Sequence, residues 1–317
     1  MSGESLKDKQ TEIYNSGGCS KDQLNYFADI SVKYRAGKFL DFIIERRIFK
    51  LMGIGPGSLV LDLGANTGRR VQSMRRECPE ARYAGVDLAL NRLAEAASFE
   101  KWQKALSGPG VLFTAGEWGK LPFKDRTFTH VFSFDVLEHV EDKNTAIADM
   151  YRILAPGGLA MIHAVSSRDF LTWHYAVGLF TGNWGYRKDD TVGHYYEFFA
   201  DLGSVIKNLE TLGGEIIYVR PFHSFFTLIF DERIVPLVFG IISSIKRKLR
   251  GSNKDTGTGP ENAACCPRDF VKPSRLLESW SRLLAFIYII LGVLDLPWRL
   301  AGTCNDWYLI AKKPSGF

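Results

Sequence analysis

Two hydrophobic periods alternate along this chain, and the points where one gives way to the other divide it into elements. A short apolar run, Leu59 to Leu63, is broken only by Asp62 and reads as a buried strand. It leads into a turn of small residues, Gly64-Ala65-Asn66-Thr67-Gly68, and then a helix from about Arg69 to Glu77, with Pro79 close behind. A second apolar run, Tyr83 to Val86, closes on Asp87. Strand, turn, helix and strand make one βαβ unit, for which a right-handed crossover is expected. The alternation continues downstream. Asn91 to Leu106 has helical spacing and is broken by Gly108-Pro109-Gly110, and Val111 to Ala115 reads as strand three. His130 to Val136 reads as strand four, Asn144 to Leu154 as a helix, and Leu159 to Val165 as strand five. Ala200 to Leu212 is a helix stopped by Gly213-Gly214, and Glu215 to Val219 is strand six.

The chemistry concentrates where strands end. Gly64 and Gly68 let the backbone pass close to a ligand, the following helix offers unpaired N–H groups, and Asp87 can accept hydrogen bonds from a ribose diol. A dinucleotide site would want G-x-G-x-x-G. Here Asn66 stands at the second glycine position, and the acidic Asp62 precedes the turn, which suits a ligand carrying an ammonium or sulfonium charge. S-adenosylmethionine fits better than NAD. Gly64, Asp87, Glu117, Asp135 and His163 all fall at or just beyond the C-terminal ends of successive strands, the edge where open α/β sheets bind ligands.

VLDLGANTG followed by GVDLAL resembles the first two motifs of the class I S-adenosylmethionine-dependent methyltransferases, and LEHVEDKNTAIADMYRILAPGGLAMI resembles the type 11 pattern within that class. The resemblance implies a Rossmann-like α/β fold: a seven-stranded, mostly parallel sheet of order 3-2-1-4-5-7-6 with helices on both faces. It implies a cofactor, S-adenosyl-L-methionine, held by Asp62, Gly64, Ala65, Asn66, Gly68, Asp87, Leu88, Glu117, Trp118 and Asp135. In that pattern Glu117 meets the adenine amino group and Trp118 covers the ring, while Asp62 and Asp135 take the methionine end. It also implies that the segment before strand one caps the pocket, with Tyr34 and Arg35 facing it. Strand seven lies far downstream, at Asp306 to Pro314, which leaves 222–304 as an insertion between strands six and seven. Three units are therefore expected: an arm and helical cap over 1–55, the methyltransferase domain over 56–221 plus 305–317, and an apolar helical insertion over 222–304.

Methyl transfer to a hydroxyl usually calls for a base within hydrogen-bond reach. His139 leaves strand four beside the expected methyl position, His163 lies near the end of strand five, and His194 sits in the aromatic, glycine-rich stretch 166–199, which reads as a substrate lid. His139 is the favoured base, while His174 and His223 read as packing residues. No metal-ligand spacing such as H-E-x-x-H occurs, so no metal is expected.

Composition narrows the setting. Across 317 residues the net charge is +5, and the basic residues are dispersed rather than striped with stacking aromatics, which disfavours a nucleic-acid partner. Five cysteines without a framework point to reduced thiols, and the polar N-terminus suggests no signal peptide, so a cytoplasmic location is expected. The insertion is unlike the rest. FHSFFTLIF and IVPLVFGIISSI flank Asp231-Glu232-Arg233, Lys246-Arg247-Lys248 follows, and a second apolar run spans Leu283 to Leu294 near Trp280 and Trp298. Runs this short with charges between them suit helices lying in a headgroup region better than a span. The sequence thus predicts a methyltransferase acting at oxygen on a small apolar or lipid-linked acceptor, peripheral on the cytoplasmic face of a membrane. The alternatives are a soluble enzyme whose insertion is a dimer surface, and a cofactor-binding protein without transfer activity. The oligomeric state is open.

Overall fold

The computed structural model describes residues 39–102, 111–182, 188–189, 194–249 and 275–316, together with Glu12. Tyr34, Arg35 and the N-terminal arm lie outside the described residues, as do the linker 251–260 and Cys265-Cys266.

Helix α1 (Phe39–Met52) precedes strand β1 (Leu59–Leu63), helix α2 (Arg69–Glu77), β2 (Arg82–Asp87), α3 (Leu90–Trp102) and β3 (Val111–Ala115). After β4 (Phe128–Phe134) come a 3-10 turn (Leu137–His139), α4 (Lys143–Ile153) and β5 (Leu154–Val165). The segment 166–201 carries α5 (Trp173–Thr181) and a two-residue ribbon pairing Lys188–Asp189 with His194–Tyr195. Helix α6 (Leu202–Thr211) leads to β6 (Glu215–Phe222). The insertion holds α7 (Phe226–Ile229), a π-helical turn (Phe230–Ile234), α8 (Val235–Leu249), α9 (Arg275–Leu294) and α10 (Leu296–Leu300), and β7 (Asp306–Lys312) closes the sheet.

The strand order is β3-β2-β1-β4-β5-β7-β6. The pairs from β3 to β5 are parallel, and β7 runs antiparallel to both neighbours, with Asp306 opposite Val165 on one side and Phe222 on the other. Buried residues fill both faces: Leu61, Leu63, Val131, Ile162 and Trp307 share one cluster with α4 and α6, and Val60, Phe132, Met161, Tyr308 and Ile310 share the other with α1 and α2. This sheet is covered on both sides, which explains the near-continuous apolar runs of β1 and β4.

The boundaries differ from the sequence expectation in instructive places. β5 begins at Leu154, because Ala155-Pro156-Gly157-Gly158 joins the strand: Gly157 N donates to Lys313 O, and Lys313 N to Gly158 O. β6 runs on to Phe222, pulled past Val219 by its ladder with β7. The triplet Asp231-Glu232-Arg233 does not separate two helices. It lies in the π turn of a helical run continuous from Phe226 to Leu249, where Asp231 is fully buried against polar partners.

Candidate active site

The ligand edge is built from left-handed backbone. Gly64 and Gly68 have φ of +75° and +72°, and Asn66 and Asp135 have φ of +46° and +54°. A Cβ on Gly64 would stand 2.2 Å from Val136 Cγ2, so the turn after β1 and the turn after β4 touch through a glycine. Gly64 N and Ala65 N both donate to Val86 O, at 2.8 and 3.0 Å. Asp87 locks the same turn: Oδ2 accepts from Asn66 N and Oδ1 from Ala89 N, each at 2.8 Å. Burial pushes the Asp87 carboxyl up, and the N–H donors of Ala89 and Asn66 pull it back. A carboxylate offers about four lone-pair sites, so Asp87 keeps acceptor capacity for a diol.

Asp62 is buried beneath this turn, and burial pushes its carboxyl up to about 7, with Arg70 opposing and Asp87 reinforcing the rise. Arg70, in the first turn of α2, places Nη2 3.1 Å from Asp135 Oδ2 and its guanidinium 3.8 Å from the centre of the Phe134 ring. Burial works against its charge, but Asp135, Glu45 and Asp62 together raise its pKa. Asp135 N donates to His163 O, and His163 Nδ1 lies 2.7 Å from Asp135 Oδ1. The His163 ring is buried in an aromatic cluster, 4.3 Å from Tyr308 and 5.8 Å from Phe222 between centroids.

The loop after β3 is anchored from α4. Gly116 N donates to Asp87 O, Leu121 N donates to Asp149 Oδ2 at 2.6 Å, and Arg152 Nη2 donates to Leu121 O. This fixes Glu117 and Trp118 beyond the strand end, beside Asp87. Trp118 is half-buried and packs against the core, so only its remaining surface is free to meet a ring. Leu88 is exposed immediately after Asp87. His139 ends the 3-10 turn, half-buried, with its N–H on Val136 O. The ribbon strand that carries His194 packs against that turn, so the backbone brings His139 and His194 to one place.

Sequence reasoning passed over Arg70 and Glu138 at this edge, and read His174 and His223 without their partners. Arg70 had a readable signal, a cation directly after the glycine turn. Glu138, inside LEH, is 1% exposed. His223 lies 3.2 Å from both Asp306 Oδ2 and Asp231 Oδ2, and Tyr288 OH donates to Asp231 Oδ1. His174 sits 2.9 Å from Asn305 Oδ1 and 3.0 Å from Glu232 Oε2. His174 and His223 are structural residues that hydrogen-bond α5 and the insertion to the mouth of the sheet. Only the fold brings their partners, up to 131 positions away, into reach.

Residues 61–162 match the model of a methyltransferase domain. That match covers 102 of the 317 residues and takes in the glycine turn, Asp87, Glu117 and Asp135. The chain is 37% identical over 99 residues to a ubiquinone/menaquinone biosynthesis C-methyltransferase of Desulfotalea psychrophila, covering 31% of this chain and 38% of that one. It is 29% identical over 149 residues to a demethylmenaquinone methyltransferase of Staphylococcus aureus, covering 45% and 60%. It thus spans less than two thirds of either relative. Among solved structures, Haemonchus contortus phosphoethanolamine N-methyltransferase 2 in complex with S-adenosyl-L-methionine shares the fold, with a TM-score of 0.60, 18% identity, and coverage of 99% of this chain and 61% of that one. The residues at this edge fit S-adenosyl-L-methionine: a glycine turn with no room for a Cβ, a carboxylate with acceptor capacity to spare, and the carboxyl groups of Asp62 and Asp135 toward a cation. Among the described residues no cluster of His, Cys, Asp and Glu could hold a metal ion.

Proposed function

We propose that this protein transfers a methyl group from S-adenosyl-L-methionine to a hydroxylated ring, a phenol or hydroquinone, carried on an apolar molecule at the cytoplasmic face of a membrane. The cofactor supplies an electrophilic methyl carbon, and the chain's own residues bind, orient and exclude water. Asp87 grips the ribose, Glu117 and Trp118 meet the adenine, and Asp62 and Asp135 face the methionine end. The favoured product is the O-methyl ether. The names of the two relatives favour a second outcome, methylation at a ring carbon of a quinone-type acceptor, and both routes begin by loosening the hydroxyl proton.

The observation that carries the membrane half is the surface of the insertion. Leu237 and Ile241 on α8, Phe286, Ile289 and Val293 on α9, and Leu300 on α10 stand between 51% and 79% exposed. No helix among the described residues is long and apolar enough to cross a membrane, so these side chains fit an interfacial seating. The insertion meets the mouth of the sheet through His223, Asp231 and Glu232, which supports delivery of a lipid-borne acceptor to that edge.

Methyl-labelled cofactor incubated with the protein and fractionated membrane lipid tests the activity: label is expected in the apolar fraction, and its absence from every lipid and small-molecule fraction refutes the reading. Product analysis separates ether from ring-carbon methylation. Sedimentation with anionic vesicles, comparing wild type with the triple variant Ile241→Gln, Phe286→Gln and Ile289→Gln, tests the membrane half. Equal binding by both proteins would sink it, and a stable dimer that the triple variant disrupts would identify these side chains as a subunit interface instead.

A further inference from the structure

The carboxyl groups at the ligand edge are not equivalent. Asp87 is held by two backbone N–H groups, Asp135 by Arg70 and His163, and Asp306 by His223 and the side-chain amide of Asn305. Glu138 differs from all of them. Its side chain is 1% exposed, and neither carboxyl oxygen has a hydrogen-bond partner among the described residues. Lys143, the nearest cation on α4, has its ammonium on Val140 O at 2.7 Å. A buried carboxyl left without a partner is costly, and such groups in native proteins call for an explanation.

Position supplies one. Glu138 lies on the turn directly after β4, in the run that begins with Asp135, and this turn packs against both β5 and the ribbon strand of the lid. The charged and titratable groups that act on it come from every side of the mouth: Asp135 after β4, His163 on β5, Asp306 on β7 and Lys143 on α4. Burial, reinforced by Asp135 and Asp306, pushes its carboxyl up to about 8, while its own backbone N–H and His163 act the other way. A carboxyl tuned to this range is matched to taking a proton near neutral pH.

We propose that Glu138 is the base of the acceptor site, its carboxylate receiving the hydroxyl proton of the phenolic acceptor. The inference rests on the acceptor class proposed above. In this step the acceptor O–H bond breaks, its electron pair stays on oxygen, and the proton forms an O–H bond on Glu138 before passing to solvent. The same transfer serves methylation at oxygen and at a ring carbon, since the phenolate is the nucleophile in both. His139, the next residue, then shapes the site rather than accepting the proton.

Two measurements test this. In protein labelled with 13C at glutamate carboxyls and saturated with S-adenosylhomocysteine, 2-naphthol is titrated in; the resonance missing from Glu138→Gln is expected to move. In the turnover assay with labelled cofactor and membrane lipid, Glu138→Gln is expected to lose about 100-fold or more in kcat. It should lose the rise in rate between pH 7 and 9, keep its Kd for S-adenosylhomocysteine within threefold, and be partly rescued by Glu138→Asp. A Glu138 resonance that does not respond to 2-naphthol overturns the proposal. So does turnover in Glu138→Gln within threefold of wild type, or a loss of the pH-dependent rise in His139→Gln but not in Glu138→Gln. If wild type labels no lipid while the resonance still moves, the function proposed above falls and the assignment of Glu138 to a hydroxyl stands.

Discussion

Replacing Asp87 with asparagine should separate what this residue does for the fold from what it does for the ligand. In the protein, both oxygens accept backbone N–H groups at 2.8 Å, from Asn66 and Ala89, so the side chain clamps the β1–α2 turn to the end of β2. Asparagine keeps one acceptor and turns an NH2 toward the other N–H. Leaving one buried donor unmatched costs about 1–3 kcal/mol. For a domain of this size that lowers the melting temperature by roughly 2–4 °C per kcal/mol, or about 2–12 °C. Binding loses separately: a hydrogen bond to a charged group contributes roughly 1.5–3 kcal/mol, so affinity for S-adenosylhomocysteine should fall about 10- to 150-fold. Calorimetric titration measures the second effect at a temperature where the variant is fully folded, and a thermal melt measures the first. A Kd within threefold of wild type, in a variant with the expected melt, would show that Asp87 builds the turn without touching the ribose, and the site as described would be wrong.

Gly64→Ala forces a left-handed alanine and a Cβ 2.2 Å from Val136 Cγ2. The backbone term of about 1–2 kcal/mol and an overpacking term of about 1–3 kcal/mol should lower the melting temperature and weaken cofactor binding at least tenfold, read by melt and calorimetry. Asp62 carries a pH dependence. Its carboxyl titrates near 7 in the fold and near 3.8 when unfolded, so the free protein loses stability, on the order of 4 kcal/mol, as pH rises from about 4 to 7. The ionised form that appears through pH 7 is the one a cation prefers. Affinity for S-adenosylmethionine should therefore climb between pH 6 and 8, and a flat profile, or the same profile in Asp62→Asn, would contradict this. Asp295, buried between α9 and α10, accepts from the N–H groups of Phe225, Phe226 and Thr227 and from Thr227 Oγ1. Asp295→Ala should cost about 3 kcal/mol or more by stranding those donors, while Asp295→Asn costs less; equal melts for the two would refute the capping role.

Local pattern carried the sheet and the cofactor turn because both are written in short stretches. β1, α2 and β3 fall where apolar period and turn chemistry place them, and Gly64, Gly68 and Asp87 lie within one βαβ unit. Even β7, displaced by the whole insertion, was legible from DWYLIA, an apolar run that the expected sheet order still lacked. What stayed hidden is whatever depends on partners distant in sequence. His223 and Asp231 look like a histidine in an aromatic run and a charge between helices until Tyr288 and Asp306 arrive beside them. Hydropathy is silent on Asp231 for the same reason: its charge falls in a π turn of one continuous helical run, against buried partners. Glu138 left no trace because its interest lies in missing partners, which a sequence cannot show.

The placement of β7 also dictates an order of events when the chain folds. β5 and β6 cannot pair with each other and must both wait, with open edges, for a strand that emerges roughly eighty residues after β6 is complete. Closing a loop of that length costs about 2.6 kcal/mol more than a four-residue turn by the polymer estimate. Meanwhile two unpaired ladders flank newly made apolar helices, the situation in which strands find the wrong neighbour. The insertion between β6 and β7 thus leaves the nascent chain prone to mispairing.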